Sequence, residues 1–193
     1  MSQKYSEEQT RRAKNIKLIL MDVDGVLTEG KLYYFPDSSG KMTEFKGFNS
    51  HDGLGLHLCF TAGILTGVIS GRVSPSVDER AKILNMKYVY QGHLDKIASW
   101  EEILKDAKLD ASEVAYIGDD FPDIPLLRRA GLAVAVANAR LEVKQAAHFV
   151  TEHGGGSGAV RDAVELVLKA SGKWDAAVEK YEVQLAKKQP IGF

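Results

Sequence analysis

An α/β protein, a doubly wound, Rossmann-like parallel sheet with helices on both faces, is what this sequence predicts. Three observations carry that expectation. Short apolar runs without polar alternation suit strands buried on both faces. Segments of helical length separate them, as crossover connections between parallel strands require. One stretch departs from the rhythm, with aromatic residues gathered around a Pro/Gly/Ser turn, and reads as a β-hairpin. A chain of 193 residues is long enough for one domain with a sizeable core.

Residues 1–15 are polar and read as a terminal segment ahead of a catalytic domain spanning 16–172. The first strand, 16–22, runs through Ile16-Lys-Leu-Ile-Leu-Met21 into Asp22-Val-Asp24-Gly25-Val-Leu-Thr28. Both carboxylates leave at the carboxyl end of the strand, where open α/β sheets place their sites. Gly25 permits a sharp turn just after them. An Asp-x-Asp-Gly stretch reads either as a plain turn or as a nucleophile able to form an aspartyl phosphate, with a second carboxyl as acid and base. The hairpin follows, at about 30–48, from Lys31-Leu-Tyr-Tyr-Phe35 through Pro36–Gly40 to Met42-Thr-Glu-Phe45.

A helix near 53–62 leads to a strand at 64–69 and to Ser70-Gly71-Arg72. A hydroxyl there, with backbone N–H groups of a glycine turn, can hold phosphoryl oxygens. The plainer reading is a strand-to-helix turn in which Pro75 opens a helix over 75–85. After the strand 87–90, Lys96 stands at the opening of a helix over 95–107. A cation there opposes the helix macrodipole, so it either answers nearby negative charge or is simply solvated. The strand 113–118 delivers Gly118, Asp119, Asp120 and Asp123, with a helix at 122–130. Adjacent acids repel unless a cation binds them, and hard oxygens at a strand end suit Mg²⁺. Helix capping by Asp120 and dipole support by Asp123 account for one of the three acids, not for all.

Strands at 132–136 and 148–150 and helices at 140–147 and 157–171 complete the alternation. The tract Gly154–Gly158 lacks the Lys-Ser/Thr ending of a P-loop and reads as a flexible lead into the last helix. The polar stretch 173–193 reads as a frayed tail.

Composition excludes several functions. A net charge of −1 with mixed signs leaves no basic footprint for nucleic acid. No apolar run reaches the roughly 18 residues of a membrane span, and the charged N-terminus is no signal peptide. Cys59, the single cysteine, can form no internal disulfide and reads as a small core residue. His57, His93, His148 and His153 show no metal-ligand spacing. Together these features lead to the expectation of a soluble cytoplasmic protein acting on a small molecule.

Acid pair, hydroxyl, lysine and acid cluster, each closing a strand, resemble the four motifs of the haloacid dehalogenase superfamily of phosphotransferases. Within it, Gly47-Phe-Asn-Ser-His-Asp-Gly-Leu-Gly55, Ile69-Ser-Gly-Arg72, Tyr90-Gln-Gly-His93, Tyr116-Ile-Gly-Asp-Asp120 and Gly154-Gly-Gly-Ser-Gly-Ala-Val-Arg161 are similar to the 3-deoxy-D-manno-octulosonate 8-phosphate (KDO 8-phosphate) phosphatase family. The resemblance runs from about Ile16 to Trp174. It implies Mg²⁺-dependent hydrolysis of a phosphorylated sugar acid in lipopolysaccharide sugar synthesis. Asp22 is then the nucleophile and Asp24 the acid and base, with Ser70 and Lys96 on the phosphoryl group. Mg²⁺ falls to Asp22, the main-chain carbonyl of Asp24, and Asp119, with Asp120 and Asp123 ordering the surroundings. Asn49, His51, Asp52, Gly71 and Arg72 fall at the sugar acid.

The resemblance further implies that the hairpin stands in place of a cap domain. About 40 residues separate Thr28 from Ser70, fewer than the roughly 50 of the smallest domains. Hairpins of several subunits then join in a homotetramer, an interface that Tyr33, Tyr34 and Phe35 fit, and the C-terminal tail enters a neighbour's site. His51 stands where that family often has Arg, so a phosphatase of a nine-carbon sugar acid is the alternative. A signalling receiver domain also uses Asp, a hydroxyl and Lys, but its phosphorylated Asp follows a middle strand. Here the Asp-x-Asp pair follows the first strand and carries its own acid and base, which favours turnover over storage of a signal.

Overall fold

In the computed structural model, which describes residues 5–186, helix α1 (Glu7–Ala13) precedes strand β1 (Leu18–Met21). The hairpin of β2 (Tyr33–Pro36) and β3 (Met42–Phe45) follows, then α2 (Ser50–Thr61), β4 (Leu65–Ser70), α3 (Pro75–Ile83), β5 (Tyr88–Gln91) and α4 (Lys96–Ala107). The chain continues through β6 (Val114–Gly118), the short α5 (Ile124–Leu127), β7 (Leu132–Ala135), α6 (Leu141–Ala146), β8 (Phe149–Val150), α7 (Ala159–Ala170) and α8 (Trp174–Ala186).

Six strands form one sheet in the order β5-β4-β1-β6-β7-β8, every pair parallel, while β2 and β3 pair antiparallel by themselves. β1 is fully buried along its length because both faces of the central strand are covered. Crossovers run outward from β1 to β4 and β5. The chain then returns to β6 on the other side, so the order reverses between β1 and β6. Crevices at such a reversal are where open α/β sheets bind ligands. Right-handed crossovers place α2 and α3 on one face and α4 to α6 on the other. The sequence therefore predicted the sheet, and the strand bounds differ from those expected by no more than two residues at either end.

Three elements differ from expectation. Residues 1–15 are more than a polar segment, since α1 opens with a capping box in Ser6 and Gln9. It also docks by Gln9 Nε2 to His148 O (3.1 Å) and Arg12 Nη1 to Gly131 O (3.0 Å). The stretch after residue 173 is not frayed as far as Ala186. There α8 packs on α2 and α7 along a narrow line, with Ala177 buried and the Trp174 ring 4.8 Å from Lys169 Nζ. The tail expected to enter a neighbour's site lies, over 187–193, outside the described residues. The helix expected at 122–130 shortens to a tight turn, Phe121–Asp123, and α5. The chain leaves it at Gly131, whose N–H pairs with Ala111 O (2.8 Å). Among the described residues no helix is long and apolar enough to cross a membrane.

Candidate active site

The turn after β1 is over-determined. Asp22 N–H donates to Ile117 O of β6 (3.0 Å), and Asp22 Oδ1 accepts from Val23 N (2.7 Å). Gly25 then takes φ +89°, and a Cβ there would lie 2.1 Å from Asp119 Oδ2. Only glycine lets the Asp119 carboxylate come this close to the turn. The tract expected to be a flexible lead, Gly154–Gly158, packs on the back of the same turn. Gly156 N–H donates to Val26 O (3.0 Å), and a Cβ at Gly155 would meet Gly25 O at 1.7 Å. These glycines serve close approach of two backbones rather than flexibility.

Beneath the turn lies a knot of charge. Lys96 Nζ reaches Asp22 Oδ2 at 3.1 Å and Asp123 Oδ1 at 2.7 Å. Tyr116 OH donates to Asp123 Oδ1 (2.8 Å), and Asp123 Oδ2 accepts from Asp119 N (2.9 Å) and Asp120 N (3.3 Å). Asp123 is fully buried, and its two oxygens serve four donors. It therefore holds the lysine and the loop in place. Asp120 is exposed and caps the turn through Phe121 N (2.8 Å). Asp119 Oδ1 is buried with no hydrogen-bond partner among the described residues.

Carboxylate oxygens of Asp22, Asp119 and Asp123 fall within 4.8 Å of one another, against one ammonium. Burial, then the charge of Asp123, pushes the Asp22 carboxyl up to about 6 in spite of Lys96. Burial, then the charges of Asp123 and Asp22, pushes Asp119 up to about 7. Burial alone would lower Lys96, but the carboxylates of Asp123 and Asp22 outweigh it and raise the ammonium above its ordinary value. A strand-end set of hard oxygens, short of positive charge and with one oxygen orphaned, fits a divalent cation such as Mg²⁺.

Asp22, Asp24, Ser70, Gly71, Arg72 and Lys96 line one cavity of about 180 Å³, with His93 and Leu94 beside them. Ser70 Oγ, at the end of β4, accepts from Arg72 N (3.2 Å). The hairpin closes a second charged group. Lys46 Nζ bonds Asp24 Oδ1 and lies 2.9 Å from Glu44 Oε1, while Arg72 Nη2 bonds Glu44 Oε2. Arg72 Nε stands 3.7 Å from Asp24 Oδ2, and Arg72 Nη2 is 3.4 Å from Tyr34 OH.

Sequence reasoning missed Glu44, Lys46 and Tyr116. Alternation along β3 puts positions 44 and 46 on one face, and a phenol inside an otherwise apolar strand needs a buried partner. Those were the available signals.

Three expected substrate contacts are not brought into this cavity. Asn49 caps α2, its Oδ1 accepting from His51 N (2.7 Å) and Asp52 N (3.4 Å). Asp52 has no exposed surface and accepts from Arg161 N (2.8 Å) and Gly158 N (3.3 Å), tying α2 to α7. His51 is exposed and lines a separate cavity of about 440 Å³ with His153 and Arg161. There His153 Nδ1 lies 3.0 Å from Asp162 Oδ2, and with Glu152 these donors fall within 4.8 Å of one another. Spacing along the chain did not reveal that group. The strand-end carboxylates, hydroxyl and lysine all converge on the smaller cavity.

Comparison with known proteins shows which family the chain resembles. The profile of a family described as haloacid dehalogenase-like hydrolase matches residues 78–162. The chain is 38% identical over 172 residues to the 3-deoxy-D-manno-octulosonate 8-phosphate phosphatase KdsC of Yersinia pestis, covering 89% of this chain and 90% of that one. It is 39% identical over 166 residues to the enzyme of that name from Escherichia coli K12, 86% of each chain. Among solved structures, the Moraxella catarrhalis 3-deoxy-D-manno-octulosonate 8-phosphate phosphatase, in complex with a magnesium ion, a phosphate ion and a KDO molecule, superposes with a TM-score of 0.85 at 40% identity, covering 92% of this chain and 99% of that one. The cobalt-bound deoxy-D-mannose-octulosonate 8-phosphate phosphatase of Haemophilus influenzae gives a TM-score of 0.78 at 40% identity, covering 84% and 92%.

Proposed function

Because this chain belongs to the 3-deoxy-D-manno-octulosonate 8-phosphate phosphatases, a family of haloacid dehalogenase-like hydrolases, we propose that it hydrolyses KDO 8-phosphate to KDO and phosphate by way of Asp22. The observation that carries the assignment of residues is the convergence of Asp22, Asp24, Ser70 and Lys96 on one cavity beside the orphaned Asp119 carboxylate. Asp22 attacks phosphorus, the bond to the sugar oxygen breaks, and Asp24 gives that oxygen its proton. Water then attacks the phosphorus of the aspartyl phosphate and passes a proton to Asp24. The bond to Asp22 breaks and both carboxyls return to their starting state. Ser70 donates to a phosphoryl oxygen, and Lys96 balances charge at Asp22. Mg²⁺, held by Asp22, the main-chain carbonyl of Asp24, and Asp119, supplies when bound the positive charge that lets a dianion approach these carboxylates. Asp120 and Asp123 keep that loop in place. Gly71 and Arg72 border the sugar acid, the guanidinium suiting its carboxylate.

The working unit in this reading is a homotetramer in the cytoplasm, taking part in lipopolysaccharide sugar synthesis. Its support is the apolar surface of the hairpin, where Tyr34, Phe35, Met42 and Phe45 are all exposed. Light scattering is expected to give four chains for the native protein and fewer for Phe35→Ser.

Phosphate release from a panel of sugar phosphates, with Mg²⁺ and with EDTA, tests the activity. Mg²⁺-dependent preference for KDO 8-phosphate is expected. Preference for a nine-carbon sugar acid 9-phosphate would move the substrate, and activity surviving in Asp22→Asn would overturn the mechanism.

A further inference from the structure

Resting on the phosphatase reading, we propose that Lys46 is the positioning residue of the acid and base. It anchors one oxygen of Asp24 so that the other faces the oxygen that leaves with the sugar, and it thereby makes the hairpin part of the proton-transfer apparatus.

The side chain of Lys46 is 2% exposed. A lysine is rarely buried so deeply unless it is paired. Its ammonium meets Asp24 Oδ1 and Glu44 Oε1. The other oxygen, Asp24 Oδ2, makes no hydrogen bond among the described residues and has Arg72 Nε only at the longer distance of 3.7 Å, on a residue that lines the reaction cavity. Rotation about the last bond of an Asp side chain is broad and nearly two-fold, so an unanchored carboxyl exchanges its oxygens and points neither of them reliably. One ammonium fixed on Oδ1 removes that freedom.

The anchor is itself fixed by the hairpin. Lys46 follows β3 directly, in a register that pairs Tyr34 with Glu44 and Tyr33 with Phe45, the latter rings stacked at 5.2 Å. Glu44 then ties Lys46 to Arg72, closing a ring of two acids and two bases. The ring is neutral, so it has no excess charge with which to recruit a metal, and its contribution is orientation.

General acid catalysis is worth about 10² to 10⁴ in rate when the acid is in reach and aligned. A sugar alkoxide needs that proton to leave, whereas p-nitrophenolate does not. Lys46→Met should therefore lower kcat on KDO 8-phosphate by about 30- to 300-fold with KM changed less than about threefold. The pre-steady-state burst of p-nitrophenol from p-nitrophenyl phosphate should fall by less than a tenth of that factor, and Lys46→Arg should restore part of the loss. Equal losses on both substrates, or a loss carried by KM alone, would overturn the proposal. If Lys46→Met does not fold in a thermal melt, Glu44→Gln takes its place. That change leaves Lys46 on Asp24 but loosens it, so a smaller loss with the same leaving-group dependence is expected, and a loss without it overturns the proposal. Native protein lacking Mg²⁺-dependent phosphate release would instead sink the phosphatase reading, and Asp22→Asn retaining it would sink only the assignment of the nucleophile; both are measured without touching Lys46.

Discussion

The two walls of the reaction cavity are built on opposite principles of charge. The sheet wall sets Asp22, Asp119 and Asp123 against Lys96 alone. The hairpin wall sets Asp24 and Glu44 against Lys46 and Arg72. One carries two negative charges in excess and the other none. A wall with buried carboxylates in excess is incomplete until a cation arrives, and its proton affinities show it, Asp22 standing at about 6 and Asp119 at about 7. A neutral wall needs nothing added and can hold a carboxyl in one orientation. In the proposed reaction the strand ends gather the phosphate chemistry, and the inserted hairpin supplies alignment.

The largest effect should come from the sheet wall. Asp22→Asn is expected to abolish phosphate release, by at least about 10⁴-fold, since losing a nucleophile is among the costliest single changes an enzyme can suffer. The same variant removes one of three crowded carboxyls, so its metal-free melting temperature should not fall. A drop of more than a few degrees would mean that Asp22 is a structural partner of Lys96 first and a reactive group second.

Lys96→Met should come next. It strands Asp22 and the fully buried Asp123 without their ammonium, and breaking a buried ion pair costs about 3–5 kcal/mol. Lys46→Met should cost less, because Arg72 still stands near Asp24 Oδ2 and pairs Glu44. Denaturant midpoints for the two variants give the difference. Equal losses would erase the distinction between the walls.

The pH dependence has a definite sign. Asp22 and Asp119 rise from an ordinary value of 3.8 to about 6 and about 7 in the folded chain. Between pH 4 and 7 the folded state therefore holds more protons than the unfolded one. By linkage, stability falls as pH rises through that window, and the full penalty stands above pH 7. Without metal, Asp119→Asn should gain on the native protein in melting temperature as pH climbs from 4 to 7. Mg²⁺ at pH 8 should raise the native protein by several degrees, since ligand at 100 times Kd contributes about 2.7 kcal/mol, and should raise Asp119→Asn much less. A gain independent of pH would remove the case for a cation on this wall.

How much of this was legible in the sequence follows from how far apart the partners lie. Strands buried on both faces are unbroken apolar runs, and Asp22, Ser70 and Asp119 sit at the strand ends themselves, so sheet and sheet wall could be read together. The hairpin wall could not. Lys46 meets Asp24 across 22 positions only because β2 and β3 fold the chain back, and a lone lysine offers no periodicity. Helices α1 and α8 escaped because each docks through a thin contact line, with Ala13 and Ala177 their only buried residues. Asn49 and Asp52 stand away from the smaller cavity because both serve helix ends, Asn49 Oδ1 taking the N–H groups of His51 and Asp52, and Asp52 those of Arg161 and Gly158.

Tyr116 offers the finest comparison of the two walls. Its hydroxyl donates to Asp123 Oδ1 at 2.8 Å and lies 3.5 Å from Lys96 Nζ, while its ring packs edge-on against Trp100 at 6.3 Å. Tyr116→Phe keeps the ring contact and deletes only the hydroxyl. Asp123 Oδ1 is then left to Lys96 alone. A hydrogen bond to a charged group is worth about 1.5–3 kcal/mol, so a loss near the lower figure is expected. In a chain of this size that lowers the melting temperature by about 3–6 °C, with no change in denaturant slope. Since Lys96 still holds Asp22, kcat should fall less than about tenfold. Tyr34→Phe deletes the corresponding hydroxyl from the hairpin wall, where it sits 3.4 Å from an exposed guanidinium. Its cost should stay below about 0.5 kcal/mol, as for most exposed substitutions. If the two phenylalanine variants melt together, the sheet wall is no more tightly determined than the hairpin, and the division of labour between them fails.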